Sequence, residues 1–232
     1  EDEYGNPILD TDGDAFIPNK DLGMTRSQHF VFAYDCSLGS HTRLKAEAYY
    51  QYLDKVPVSD SYGDYSILNY GANFDLVFPD TLVNNGTGYN YGIELTLERF
   101  LNKGFYYLLT ASLYDSKYTG SDGIWRNTAF NGNYTCNVLL GKEYRFGKKK
   151  DYKKSEGSLV IDLKFTINGG QRYIPIDLES SRSAGKAVYD HSNAYSPKLP
   201  DYYRTDLKIG YKRNGKRTTQ EWSMNFQNLT NQ

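Results

Sequence analysis

The residues with the clearest potential for chemistry are four carboxylates near the start of the chain. Asp10, Asp12, Asp14 and Asp21 occupy positions 1, 3, 5 and 12 of a calcium-type loop, where carboxylate oxygens would serve as ligands for a hard cation. The pattern is imperfect because the glycine stands at position 4 and the twelfth residue is Asp rather than Glu. An acidic surface loop is the alternative interpretation. We therefore expect no cofactor, with calcium at this loop as the one metal hypothesis.

The remaining residues show no spacing typical of an enzyme. The chain has no nucleophile elbow, no Walker loop and no histidine placed beside a candidate nucleophile. Gly86, Gly88 and Gly92 have the wrong spacing for a dinucleotide loop and lead into a predicted strand instead of a helix. The net charge of -1, without a basic face beside the aromatic residues, argues against nucleic acid as a partner. We predict that the chain is not an enzyme and does not bind nucleic acid.

Strict alternation of apolar and polar residues is the dominant pattern of the sequence. In segment 43–52, apolar or aromatic residues at every even position alternate with Arg43, Lys45, Glu47 and further polar residues. Segments 91–98 and 159–168 repeat this alternation. A period of two is that of a β-strand. One face of such strands suits lipid and the other suits a watery lumen, as in a membrane β-barrel.

The composition fits this interpretation. No run of the chain approaches the roughly 18 consecutive apolar residues of a spanning helix, and the mean hydropathy is -0.68. A barrel places only every second strand residue in lipid, so 24% charged residues can be accommodated in the lumen and loops. The 23 tyrosines suit the aromatic girdles at the two membrane interfaces. A soluble tyrosine-rich β-sandwich is the alternative.

Eight segments with this pattern predict an all-β protein, an antiparallel transmembrane β-barrel. Their approximate bounds are 27–35, 42–54, 90–101, 105–117, 132–146, 158–171, 202–212 and 218–229. The connections 55–89, 118–131 and 172–201 are long, whereas 36–41, 102–104, 147–157 and 213–217 are shorter. A barrel with short turns on one side and long loops on the other has this alternation. We expect the long loops to face outward and the short turns to face the periplasm.

Several segments resemble a known family. Segment 90–133, NYGIELTLERFLNKGFYYLLTASLYDSKYTGSDGIWRNTAFNGN, is similar to the C-terminal barrel region of TonB-dependent outer-membrane receptors. Segments 172–190, 199–216 and 221–232 resemble the same family in the same order. The resemblance therefore covers most of the chain after about residue 28.

The resemblance implies a 22-stranded barrel that is plugged by an N-terminal domain and belongs to the bacterial outer membrane. Such receptors import a scarce nutrient with energy passed on by TonB. Eight predicted strands are too few for that barrel, so we interpret residues 25–232 as a partial barrel without the plug and the last strands, and leave residues 1–24 unassigned. Expected partners are outer-membrane lipid, the receptor's own plug and remaining strands, the TonB complex and a surface lipoprotein. A small autonomous eight-stranded barrel with a structural, adhesion or passive channel role is the alternative.

The topology also predicts two sets of site residues. Exposed aromatic and Arg side chains of the long loops are common ligand anchors, and the candidates are Tyr62, Tyr65, Tyr70, Trp125, Arg126 and Tyr195. The charged members of the alternating strands would face the lumen, namely Glu47, Glu94, Glu98, Asp162, Lys164, Arg204, Asp206, Lys208 and Glu221.

Overall fold

The computed structural model describes residues 19–70, 81–146, 156–215 and 217–231. Within these ranges the chain is built almost entirely from strands. They are β1 (Arg26–Ser37), β2 (Thr42–Ser59), β3 (Leu82–Asn102), β4 (Phe105–Thr119), β5 (Trp125–Asn127), β6 (Tyr134–Phe146), β7 (Glu156–Asn168), β8 (Tyr202–Asn214) and β9 (Thr219–Phe226). One α-helix, α1 (Leu178–Ala184), and the 3-10 turns Ile67–Asn69 and His191–Asn193 lie in the connections. No helix in these ranges is long and apolar enough to cross a membrane.

The strands form one antiparallel meander in the order β1-β2-β3-β4-β6-β7-β8-β9, and the short β5 pairs with β4. All eight predicted strands are present, which confirms the all-β antiparallel architecture. A closed eight-stranded barrel would require β1 to pair with β9. Within the described part of the chain, each of these two strands has a single partner, β2 and β8 respectively.

The first long connection is shorter than the sequence predicts. Strand β2 continues to Ser59 and β3 begins at Leu82, so the predicted loop 55–89 loses residues at both ends. The pairing survives an irregularity in register after Leu53, where Lys55 adopts a φ of 54°. Beyond it, Val56 and Val58 are fully buried. Burial of these two valines therefore extends the pairing of β2 with β3 beyond the segment in which apolar and polar residues alternate.

The register divides the sheet into an apolar face and a polar face. Leu44, Leu97, Leu109 and Val138 lie side by side on neighbouring strands, and Thr110, Asn137 and Thr166 do the same one position away. Successive side chains point to opposite faces, so these two rows lie on opposite sides. Large side chains of the apolar face are exposed to solvent, for example Phe32 at 74% and Ile93 at 57%. A continuous exposed apolar face of this kind suits lipid and not water.

The nine charged residues predicted to face the lumen share the polar face by register. Several form ion pairs, with the Lys208 ammonium 2.9 Å from the Glu221 carboxylate and the Arg204 guanidinium 2.8 Å from that of Asp206. That this face lines a lumen stays a prediction. The complete set is Glu47, Glu94, Glu98, Asp162, Lys164, Arg204, Asp206, Lys208 and Glu221.

The two ends of the sheet differ in their connections. The β2–β3, β4–β6 and β7–β8 connections leave from one end, which we call the loop end. At the opposite end, the turn end, residues 38–41, 103–104 and 215–218 connect successive strands. The separation of long from short connections agrees with the pattern predicted from the sequence.

Candidate functional site

The calcium hypothesis falls largely outside the described residues. Asp10, Asp12 and Asp14 lie in the part of the chain that the structure does not describe, and only Asp21 lies within it. Among residues 19–70, 81–146, 156–215 and 217–231, no group of three or more His, Cys, Asp or Glu side chains could hold a metal ion. Calcium binding by the acidic loop therefore stays a prediction.

The three long connections pack against one another at the loop end, and we call this assembly the loop cluster. Tyr118, near the end of β4, is fully buried beneath it. Its hydroxyl donates to the carbonyl oxygen of Asp64 at 2.7 Å, and its ring meets that of Tyr195 edge-on at 6.1 Å. Tyr118 thus holds the first and third connections against the sheet.

A second polar contact joins the first and third connections directly. Nδ1 of His191 lies 2.8 Å from a carboxylate oxygen of Asp64, although the two residues are 127 positions apart in sequence. The Asp64 side chain is only 8% exposed, whereas that of His191 is 55% exposed. Without His191, this carboxylate oxygen of Asp64 would be buried with neither water nor this hydrogen-bond partner, which is energetically costly.

Arg172 joins the second and third connections. Its guanidinium donates to the carbonyl oxygens of Asn131 at 2.9 Å, Ser196 at 2.9 Å and Tyr195 at 3.4 Å, and to the side-chain oxygen of Asn133 at 3.3 Å. Burial lowers the pKa of Arg172, against a smaller opposing effect of a nearby acid. Removal of this side chain would leave several carbonyl groups of the loops without a donor.

Asn131 provides the buried centre of the β4–β6 connection. Its side chain is completely buried and donates to Asp115 at 2.6 Å and to Asn127 at 2.9 Å. Its side-chain oxygen accepts from Asn133 at 3.0 Å. Donors and acceptor are all satisfied, as expected for a buried amide, so the connection has a defined conformation.

Two close backbone approaches at the base of the loop cluster require glycine. A Cβ atom at Gly120 would lie 1.8 Å from the carbonyl oxygen of Gly63, and one at Gly169 would lie 1.8 Å from that of Gly132. No side chain fits at such distances. These glycines let the long connections lie directly against each other.

Three of the six predicted ligand candidates come together in this cluster. The rings of Tyr65 and Tyr70 lie 5.0 Å apart. Tyr195 contacts the ring of Tyr118, whose hydroxyl donates to the backbone of Asp64 beside Tyr65. Burial raises the pKa of all three phenols, that of Tyr195 to about 12, with Tyr70, Asp64 and Tyr65 adding to the effect. Tyr195 also has a φ of 56°, a conformation that bulky residues rarely adopt and that is often found at functional sites. We call Tyr65, Tyr70 and Tyr195 the tyrosine cluster.

The comparisons with known proteins agree with this architecture. A family model described as TonB dependent receptor-like, beta-barrel matches residues 3–231. The chain belongs to this TonB-dependent receptor family. Neither a curated protein nor a solved structure matches the chain significantly.

Membership confirms the resemblance and the transmembrane β-barrel fold. The family consists of transporters typical of the bacterial outer membrane, so the prediction that the chain is not an enzyme is also confirmed. That the apolar face of the receptor barrel meets lipid stays a prediction.

Within the described residues, no side-chain hydrogen bond or ring contact joins the other three candidates to the tyrosine cluster of the receptor barrel. Trp125 is opposite Thr119 and its ring lies 4.9 Å from that of Tyr89, in an aromatic group on the apolar side. The Arg126 guanidinium is paired in bidentate fashion with Asp122 at 2.9 and 2.7 Å and is only 9% exposed. Tyr62 is 63% exposed. Their ligand-binding roles stay predictions.

Sequence reasoning missed the residues that assemble the loop cluster of the receptor barrel. The contacts of Asp64, Tyr118, Arg172 and His191 join positions distant in sequence, so no local pattern marks these residues. One signal was available. The adjacent Gly169 and Gly170 interrupt a strand pattern just before Arg172, which indicates a close backbone approach.

Proposed function

We propose that this receptor barrel is part of an active transporter that takes up a scarce nutrient with TonB-derived energy, and that the loop cluster receives the nutrient. The observation that carries the proposal is the convergence of three long connections at one end of the polar face, around Tyr65, Tyr70 and Tyr195. Family membership supports a transport role. A plug domain would lie against the polar face, and TonB would act on that plug. A surface lipoprotein could cap the loops.

The chemistry of the tyrosine cluster favours a ligand with a flat face and uncharged polar groups. The three phenols are neutral at physiological pH, since an ordinary tyrosine ionises at about pH 10 and burial raises the pKa of each further. Neutral phenols offer an apolar ring for stacking and a hydroxyl for hydrogen bonding. Arg126 is already paired with Asp122, and the Asp64 carboxylate already has a hydrogen-bond partner in His191. Sugars and peptides fit this chemistry better than a strongly charged anion.

The test is an uptake experiment on cells that make the complete receptor. Intact cells are incubated with a mixture of oligosaccharides, peptides and metal chelates at limiting concentration, and depletion of each compound is measured by mass spectrometry. We expect one class of compound to be depleted when the receptor and TonB are both present, and not when either gene is deleted. Depletion that persists without TonB would contradict active transport and favour a passive channel.

Variants of the loops then test the site. Tyr65→Ala and Tyr70→Ala remove rings of the tyrosine cluster, and each should reduce uptake at limiting concentration by about ten-fold, the effect of a typical aromatic anchor. Ile67→Ala is a matched control, because this residue lies between them and is exposed to nearly the same degree as Tyr70. Equal uptake by all three variants would exclude the tyrosine cluster as the ligand site.

A further inference from the structure

The charges on the apolar face differ between the loop end and the turn end. In the half nearer the loop end, each basic side chain of a strand has an acidic neighbour. The Arg26 guanidinium lies 2.7 Å from the Asp54 carboxylate, and the Lys117 ammonium lies 3.5 Å from that of Asp115. This half of the face therefore carries little net charge.

On the half of the apolar face nearer the turn end, the charged residues of the described strands are all basic. Register places Arg99 opposite Tyr107 and Lys142 opposite Phe105 on this half. Among the described strand residues that share it, none is acidic. The acidic residues of the neighbouring positions, such as Glu98 and Glu143, alternate onto the polar face.

Lys142 lies among aromatic rings on this half. Its ammonium is 6.0 Å from the ring centre of Phe105 and 5.7 Å from that of Tyr144. Within the described residues it makes no ion pair with a carboxylate. A cation held over aromatic faces in this way is partly stabilised but keeps its charge available.

Arg99 is a second basic side chain without a protein anion. Its Nε is shielded from solvent and has no hydrogen-bond partner among the described residues. A cation on a surface that meets lipid is costly unless an anion or the interface accepts it. Both residues lie where the aromatic rings of a barrel mark the membrane interface, the depth of lipid phosphates.

The geometry lets both cations approach a single anion. Arg99 on β3 and Lys142 on β6 flank β4, whose Phe105 and Tyr107 rings lie 5.9 Å apart between them. Neighbouring strands are spaced by roughly 4.8 Å and the two residues are also offset by two positions along β4, so their Cα atoms are about 12 Å apart. Two long side chains can converge over that distance on one phosphate, above the rings.

We propose that Arg99 and Lys142 bind the phosphate of an anionic phospholipid, with its acyl chains along the leucines of the apolar face. The proposal commits to a lipid and not to free phosphate, because the two cations border a continuous apolar surface formed by residues such as Leu97, Leu109 and Leu140. It rests on the location of the receptor barrel in a membrane and is independent of the transported nutrient.

The experiment is native mass spectrometry of the complete receptor, purified in a mild detergent and mixed with phosphatidylglycerol. Phosphatidylcholine with the same acyl chains and inorganic phosphate serve as the comparison ligands. We expect Arg99→Gln and Lys142→Gln each to reduce the affinity for phosphatidylglycerol by about five-fold, the usual contribution of one basic residue near an anionic membrane surface. Arg26→Gln, which removes a paired cation from the loop-end half, is the matched control and should bind like the wild type.

The results of this experiment distinguish an anionic lipid from free phosphate as the bound anion. Preferential retention of phosphatidylglycerol that is lost in the double variant supports the site. Equal retention of both lipids, equal retention by all variants, or displacement of the lipid by equimolar inorganic phosphate would each overturn it. Heat-dependent migration in detergent gels checks that every variant is folded. Uptake is measured in parallel, and a TonB-independent result there would refute the transport proposal while leaving the lipid result intact.

Discussion

The loop end and the turn end of this sheet are stabilised in different ways. At the turn end, Asn102 pairs with Phe105 across a two-residue turn in which Lys103 and Gly104 have φ values of 51° and 74°. The conformation of such a turn is determined by its own residues and length, not by contacts with distant parts of the chain. At the loop end, the connections are joined by contacts between residues far apart in sequence, such as Asp64 with His191. Loop-end changes should therefore alter ligand binding without unfolding the sheet.

The largest expected effect comes from the close approach at Gly120. Gly120→Val would place atoms within 1.8 Å of the Gly63 carbonyl oxygen, so the first and second connections must separate. Overpacking of this kind costs about 3 kcal/mol. Hydrogen exchange should accelerate in residues 60–70 and 120–133 and stay unchanged in the strands at the turn end. Gly23→Ala is the control, since its Cβ would lie 3.6 Å from the nearest atom, Asn84 Oδ1.

Arg172→Met should have the next largest effect. The substitution keeps much of the aliphatic stem and removes the donors to the carbonyls of Asn131, Tyr195 and Ser196. Loss of charged hydrogen bonds to partly buried acceptors costs about 2 kcal/mol. Proteolysis within 172–201 should become faster, whereas Arg182→Met, on the exposed helix α1, should behave like the wild type. An unchanged rate for Arg172→Met would show that Arg172 does not hold the loops.

Alkaline pH should loosen the loop end through Tyr195. Burial raises the pKa of this phenol to about 12 in the folded protein, whereas an unfolded tyrosine ionises near pH 10. The folded state therefore binds its proton more tightly, and the stabilisation that is complete below about pH 10 is lost as the pH rises toward about 12. Hydrogen exchange in residues 190–201, corrected for the intrinsic rate, should increase over this range. Tyr195→Phe should reduce that dependence.

The smallest expected effect is at acidic pH. The Arg126 guanidinium holds the pKa of Asp122 below its usual range, against the opposing effect of burial. Because the folded pKa is lowered, the stabilisation is present above the ordinary value near about pH 4 and is lost as the pH falls through the folded value. Exchange at residues 121–127 should increase first, before the turn 103–104. In Asp122→Asn this acid-dependent step should disappear.

The strands could be predicted from the sequence more completely than the loops. The alternation in segment 43–52 predicted a strand and its two faces, because successive side chains of a strand point to opposite sides. It failed at Val56 and Val58, which continue β2 past an irregular residue, and at β5, whose three residues are too short to show a period. Of six predicted loop candidates, the structure gathers only Tyr65, Tyr70 and Tyr195.

The sequence by itself determined the strands, the division of side chains between an apolar and a polar face, and the family. These features depend on neighbours two positions apart or on motifs that are continuous in the chain. Only the tertiary structure decided which loop residues meet, because the contacts of Tyr118, Arg172 and His191 join positions from 23 to 127 residues apart. It also decided the grouping of Arg99 and Lys142, since the register places them on one face, on either side of β4 and two residues apart along it.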